Sequence, residues 1–212
     1  MQFHYIAVEG VIGVGKTAVV ERLAERLDAN TVLEEWWQNP FLKSFYEGAA
    51  GSPFQAELFF LLSRYRQQQE LTQRSLFNQF TISDYLFEKS KVFAYVNLED
   101  SELLIYEKLY SLLAEGIPRP DLVVYLQAPT EVLMKRIRGR GRPEETRLSE
   151  EYLAEVNRAY NYYFFHYGQT PLLVVNTTDV DLVKNEEDLD DLIRQVRSMG
   201  KGTQYYVPRG SK

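Results

Sequence analysis

The sequence predicts an α/β protein built on a parallel sheet with helices on its faces, and three observations carry that expectation. Five short apolar runs alternate with longer runs whose apolar residues recur at helical spacing. One of the short runs, Asp-Leu-Val-Val-Tyr-Leu at 121–126, is apolar without alternation, as a strand covered on both faces must be. The first short run passes directly into Gly-Val-Ile-Gly-Val-Gly-Lys-Thr at 10–17, a glycine-rich turn that joins a strand to a helix.

Taken in order, Phe3–Val8 reads as the first strand, and Lys16–Leu27 as a helix with Val19, Val20, Leu23 and Leu27 on one face. Thr31–Leu33 is a short strand ending in Glu34-Glu35, and Pro40–Tyr46 opens a short helix with proline in its first turn. Pro53 to Leu76 is a long helix, rich in Leu and Phe. Phe80–Ser83 is a third strand, ending in Asp84, and two helices follow at 86–95 and 101–113. After the buried strand at 121–126 come a helix at 130–137 and another at 149–165, the latter capped by Ser149 with glutamates in its first turn. Leu172–Val175 is the fifth strand, and 185–199 is the last helix, stopped by Gly200. From Lys201 the chain is expected to be a polar, loose tail. No interdomain linker or internal repeat interrupts the pattern, so 1–212 is read as one domain.

Composition narrows the function. At 212 residues with 45% hydrophobic content, the chain can bury a sizeable core. A net charge of −6 argues against a general nucleic-acid surface, so any polyanion must meet a local basic patch. The absence of cysteine excludes disulfides, thiolate metal sites and cysteine nucleophiles. No apolar run approaches membrane-spanning length and no leader segment is evident, so a cytoplasmic protein without membrane partners is expected.

Residues 10–17 match the phosphate-binding pattern G-x-x-x-x-G-K-[ST]. Gly10, Gly13 and Gly15 let the backbone turn so that the N–H groups of Gly10, Val11, Ile12, Gly13, Val14 and Gly15 line one concavity. That concavity and the helix N-terminus behind it attract anions. Lys16 is expected on the β/γ-phosphates of ATP, and the Thr17 hydroxyl on Mg²⁺. Asp84 ends a strand, where a carboxylate holds Mg²⁺ directly or through water. Glu34 and Glu35 end the strand beside the loop, where either can take the proton of an attacking hydroxyl. Residues 135–142, Lys-Arg-Ile-Arg-Gly-Arg-Gly-Arg, concentrate positive charge in an acidic chain. Planar guanidinium groups neutralise charge spreading over a transferring phosphoryl group, and the glycines would let the segment close as a lid.

With these residues in place, the chain resembles the deoxynucleoside kinases over nearly its whole length, closest to the bacterial deoxyadenosine/deoxyguanosine kinase branch. The resemblance implies the P-loop kinase fold: a five-stranded parallel sheet with an arginine-rich lid. It implies ATP-dependent phosphorylation of a deoxynucleoside 5′-hydroxyl and a homodimer built through long helices. In Arg136-Ile-Arg-Gly-Arg140-Gly-Arg142-Pro-Glu-Glu145 it assigns Arg136, Arg140 and Arg142 to phosphates and Glu145 to the sugar 3′-hydroxyl, shared with Tyr46. Asn39-Pro40-Phe41 sets a register in which Glu34 is the base, with Glu35 one residue away. Leu62-Ser63-Arg64 matches a segment lining the base pocket, with Arg64 facing the base, and Asn176 to Asp181, with Asn176 and Asp179, the loop at the adenine of ATP.

The chain departs from that family in three places. The usual acid-Arg-Ser triplet is Asp84-Tyr85-Leu86, so an arginine is missing. A base-reading glutamine is Glu57, and an acid before Phe93 is Lys89. An ionised glutamate only accepts hydrogen bonds, whereas guanine presents two adjacent donors, so Glu57 and Lys89 are expected to tilt the pocket towards guanine. Trp36, Trp37, Phe54, Phe59 and Phe93 are candidates for stacking on a base. The rival readings are a thymidylate-type monophosphate kinase, a GTP-binding switch, and an inactive nucleotide-binding relative.

Overall fold

The computed structural model describes residues 3–75 and 80–208. The elements in chain order are β1 (Tyr5–Gly10), α1 (Lys16–Leu27), β2 (Asn30–Val32), α2 (Leu42–Tyr46), α3 (Ser52–Ser75), β3 (Thr81–Ser83), α4 (Lys89–Asn97), α5 (Asp100–Ala114), β4 (Leu122–Gln127), α6 (Thr130–Arg140), α7 (Glu150–Phe165), β5 (Leu172–Asn176), α8 (Glu186–Ser198) and β6 (Thr203–Tyr206). The strands form one sheet in the order β2-β3-β1-β4-β5-β6, and every neighbouring pair is parallel. The order reverses direction around β1, which places the turn after β1 at the crevice where such sheets bind ligands.

All six residues of β1 are buried, and so are the first five of β4. Helices cover both faces, which explains the missing alternation. The main core runs along the sheet from Ile6 and Val8 through Val123 and Leu173 to Leu192 and Val196. A second, smaller core gathers Leu61, Phe87, Ala94, Leu98, Tyr106 and Tyr110 from α3, α4, α5 and the turn before α4. Two helices start as their sequence predicts. The Ser149 side chain accepts from the Tyr152 N–H, and that of Asn185 accepts from the N–H groups of Glu187 and Asp188.

The sheet has six strands, not five. The segment expected as a loose tail pairs with β5, from Leu172 opposite Thr203 to Val175 opposite Tyr206. Thr203-Gln-Tyr-Tyr is largely exposed, so no apolar run announces it. Its stability comes from the open edge of β5 and from the Tyr206 hydroxyl, which donates to Asp191. Several helix bounds also move, and the short helix expected from Pro40 begins at Leu42, beyond the proline. The helix expected at 86–95 runs from Lys89 to Asn97; before it lies a turn in which the Leu86 N–H donates to the buried Glu9 carboxylate at 3.0 Å and the Lys89 N–H returns to the Leu86 carbonyl at 3.0 Å. The helix expected to end at Ile137 continues to Arg140 and closes on Gly141 in the left-handed region, whose N–H returns to the Ile137 carbonyl.

Candidate active site

The turn after β1 is pressed between β4 and α6, and this explains two of its glycines. A Cβ on Gly10 would stand 2.5 Å from the Leu126 carbonyl oxygen. Gly13 has φ +92°, and a Cβ there would stand 2.7 Å from the Ile137 side chain. Lys16 turns back over the loop and donates to the Gly10 carbonyl at 2.6 Å. Burial, together with the nearby charge of Lys89, pushes the Lys16 pKa down to about 8. The Thr17 hydroxyl donates to Asp84 Oδ2 at 2.6 Å, and the other Asp84 oxygen accepts from the Glu34 N–H at 2.7 Å. The end of β3 thus ties the phosphate loop to Glu34, the second residue after β2.

Glu34 is the centre of a buried ion cluster. Its Oε1 accepts from Arg64 Nε at 2.7 Å, and its Oε2 accepts from Lys89 Nζ at 2.6 Å. Arg64 is itself held by Ser90, whose hydroxyl lies 2.9 Å from Nη1. Burial alone would raise the Glu34 pKa, but Arg64 and Lys89 outweigh it and hold the carboxyl well below the usual range. Glu35, its neighbour, instead accepts from the Gln38 side chain at 2.8 Å.

A cavity of about 740 Å³ joins these parts. Residues 12–17 form one wall, with Glu34, Asp84 and Lys89 at the centre. Trp36, Tyr46, Glu57, Phe60, Phe93 and Tyr152 surround the far end. Arg136, Arg140, Arg142 and Glu145 line it from α6 and the turn beyond. Arg136 donates to the Thr177 hydroxyl at 3.1 Å. Arg140 Nε donates to Glu145 Oε2 at 2.8 Å, and the Arg142 guanidinium lies 4.5 Å from the centre of the Trp36 ring.

Glu57 is 3% exposed. Its Oε1 accepts from Asn97 Nδ2 at 2.7 Å, while Oε2 has no hydrogen-bond partner among the described residues. Burial is the main cause that pushes its pKa up to about 7.

The structure therefore brings most of the sequence-predicted residues to one cavity, with some exceptions. Gly10 and Val11 shape the loop without lining the cavity, and Glu35, Asn176 and Asp179 do not line it either. The Asn176 side chain accepts from Thr178 in its own turn. Thr177 and residues 180–184 line the cavity in place of Asn176 and Asp179. Of the stacking candidates, Trp36 and Phe93 line it, and Trp37, Phe54 and Phe59 do not. Lys89 lies in the wall, but its ammonium is on Glu34.

Several contributors carry no sequence signal that the motifs capture, among them Phe60 in the cavity wall and Ser90 on Arg64. Glu9 holds the N–H groups of Gly10 and Leu86, and its signal was a lone charge in a buried strand. Asn97 and Tyr152 carried no motif at all.

A family model for deoxynucleoside kinases matches residues 6–200. The chain belongs to the deoxynucleoside kinase family. It is 32% identical over 200 residues to the deoxyguanosine kinase of Bacillus subtilis (strain 168), covering 92% of this chain and 97% of the relative. It is 28% identical to the deoxyadenosine/deoxycytidine kinase of the same organism, covering 92% of each. Among solved structures, a deoxyadenosine kinase from M. mycoides with bound dATP superimposes with a TM-score of 0.78 at 22% identity, over 92% of this chain and all of the other, which shows a shared fold. Membership makes this an enzyme that phosphorylates deoxynucleosides, and it sets aside the switch and monophosphate-kinase readings.

Proposed function

We propose that this kinase, as a single catalytic domain, transfers the γ-phosphoryl group of ATP to the 5′-hydroxyl of a purine deoxynucleoside. The observation that carries the reading is Glu34. It is a carboxylate kept ionised by two cations, in the same cavity as a phosphate loop and 2.7 Å, through its N–H, from the Asp84 carboxylate. In this reading the phosphates lie on the N–H groups of the loop, with Lys16 leaving the Gly10 carbonyl for the β/γ-phosphates. Glu34 accepts the 5′-hydroxyl proton as the bond to phosphorus forms. Arg136, Arg140 and Arg142 form the lid over the transferring group, and the Arg140–Glu145 pair opens to release Arg140 to phosphate and Glu145 to the 3′-hydroxyl beside Tyr46. Thr177 and residues 180–184 take the adenine end.

The Thr17 hydroxyl and Asp84 carboxylate, hard oxygens beside the phosphate loop, fit Mg²⁺. Among the described residues no three His, Asp or Glu side chains converge, so such an ion would draw most of its ligands from phosphates and water. When bound, it neutralises charge on the transferring group.

Guanine is the favoured base. The unpaired Glu57 oxygen accepts from N1–H and the 2-amino group, while Asn97 holds the carboxylate in place. Lys89 is removed from that role by its bond to Glu34. A homodimer is proposed on the exposed Tyr95, Tyr162 and Phe165 of the neighbouring helices α4 and α7. Among the described residues no helix is long and apolar enough to cross a membrane. The proposed location is the cytoplasm.

The test is phosphate transfer from ATP and Mg²⁺ to the four deoxynucleosides and to thymidine monophosphate. Turnover of deoxyguanosine above deoxyadenosine supports the reading. A Glu57→Gln enzyme with unchanged efficiency on deoxyguanosine removes the base assignment.

A further inference from the structure

The position after Asp84 holds Tyr85, a fully buried phenol that brings no positive charge to the reacting centre. The charge comes instead from the first residue of α4. Lys89 is 6% exposed, and its ammonium sits 2.6 Å from Glu34 Oε2 with the Phe93 ring 5.6 Å away. Arg64 is on the other Glu34 oxygen and is tied to a second partner, since its Nη1 is also held by Ser90. Lys89 is different. An ammonium has three donors on a flexible stem, and Glu34 takes one. Lys89, Glu34, Asp84 and Lys16 line the same cavity.

We infer that Lys89 is a catalytic cation of the phosphoryl transfer, donating to the nucleoside 5′-oxygen beside Glu34, and is not a reader of the base. This rests on Glu34 as the base. The 5′-hydroxyl proton passes to the Glu34 carboxylate. The 5′-oxygen forms its bond to the γ-phosphorus while the bond from phosphorus to the β,γ-bridging oxygen breaks, and ADP leaves with that electron pair. Lys89 stays protonated throughout. As Glu34 loses its negative charge, the ammonium turns to the oxygen where charge develops.

The groups that set the ionisation of Glu34 surround it on every side: Arg64 and Glu57 from α3, Lys89 from α4, and Lys16 and Asp84 at the phosphate loop. Neutral phenols of Tyr46, Tyr85 and Tyr160 also feel its charge.

The experiment measures kcat and KM against pH for the full chain and for Lys89→Met, Lys89→Arg and Glu34→Gln, on deoxyguanosine and deoxyadenosine. Thermal stabilisation by ATP reports that each variant is folded. Lys89→Met is expected to lose about 100-fold or more in kcat. Its deoxyguanosine-to-deoxyadenosine ratio stays the same, and the nucleoside KM changes far less than kcat. Lys89→Arg recovers much of the rate. The inference is overturned if Lys89→Met keeps its kcat while the base ratio changes. It is equally overturned if the rate falls with no recovery in Lys89→Arg. Full activity in Glu34→Gln would bring down the base assignment itself. An inactive Glu34→Gln beside a fully active Lys89→Met would bring down this inference alone.

Discussion

Two carboxylates in one cavity are driven in opposite directions by their partners. Glu34 faces Arg64 and Lys89 and stays ionised, whereas Glu57, with Asn97 as its one recorded hydrogen-bond partner, is pushed up to about 7. Replacing Glu34 by Gln is expected to lower kcat by about 10²–10⁴-fold while ATP still stabilises the protein to heat. Glu57 makes folding depend on pH. Its folded pKa lies above the ordinary value of 4.5, so it costs nothing below that pH. As pH rises from 4.5 to about 7 the unfolded chain ionises first, and stability falls by up to about 3 kcal/mol. Glu57→Gln should therefore gain stability relative to the parent between pH 5 and pH 8, read by urea denaturation at both. Guanine donors would satisfy the same carboxylate, so the deoxyguanosine KM should fall as pH rises through about 7 while that for deoxyadenosine stays flat. The sequence identified both glutamates by position. Their ionisation was hidden, because it depends on residues from α3 and α4 that lie far away along the chain.

Helix ends decide which arginines can meet a phosphate. Because α6 continues through Gly139, Arg136 and Arg140 lie one turn apart on the same side of the helix, over the cavity. Arg140 is partly exposed in its pair with Glu145, so Arg140→Ala should cost no more than about 1 kcal/mol of stability. Its kcat should fall by about 10²–10³-fold, measured in parallel with the unfolding midpoint. Gly13 shows the reverse balance. A methyl group there meets both a left-handed φ and Ile137, so Gly13→Ala should destabilise the fold by at least about 1 kcal/mol and weaken ATP binding together, by calorimetry and titration. The loop was legible from its glycine spacing. The start of α4 was not, because the turn before it is tied through the Leu86 N–H to Glu9, 77 residues away along the chain.

The sheet order sets how the parts combine. The turn after β1 and the ends of β2 and β3 deliver the phosphate loop, Glu34 and Asp84 to one crevice. β6 adds a sixth strand at the far edge, remote from the chemistry. Ending the chain after Met199 should leave the kinetic constants near those of the parent and lower the unfolding midpoint by a few degrees, for loss of about 1–3 kcal/mol. The exposed edge of β5 would also promote aggregation, detectable by light scattering. By itself the sequence determined the α/β class, the phosphate loop, the arginine cluster and the family, because these rest on local periodicity and on motifs contiguous in the chain. Only the tertiary structure decided that Glu34 and not Glu35 enters the cavity, that Lys89 serves Glu34, that Asn97 holds Glu57, and that the tail is a strand. Each of those depends on a hydrogen bond or strand edge supplied by a distant segment, and local sequence carries no record of it.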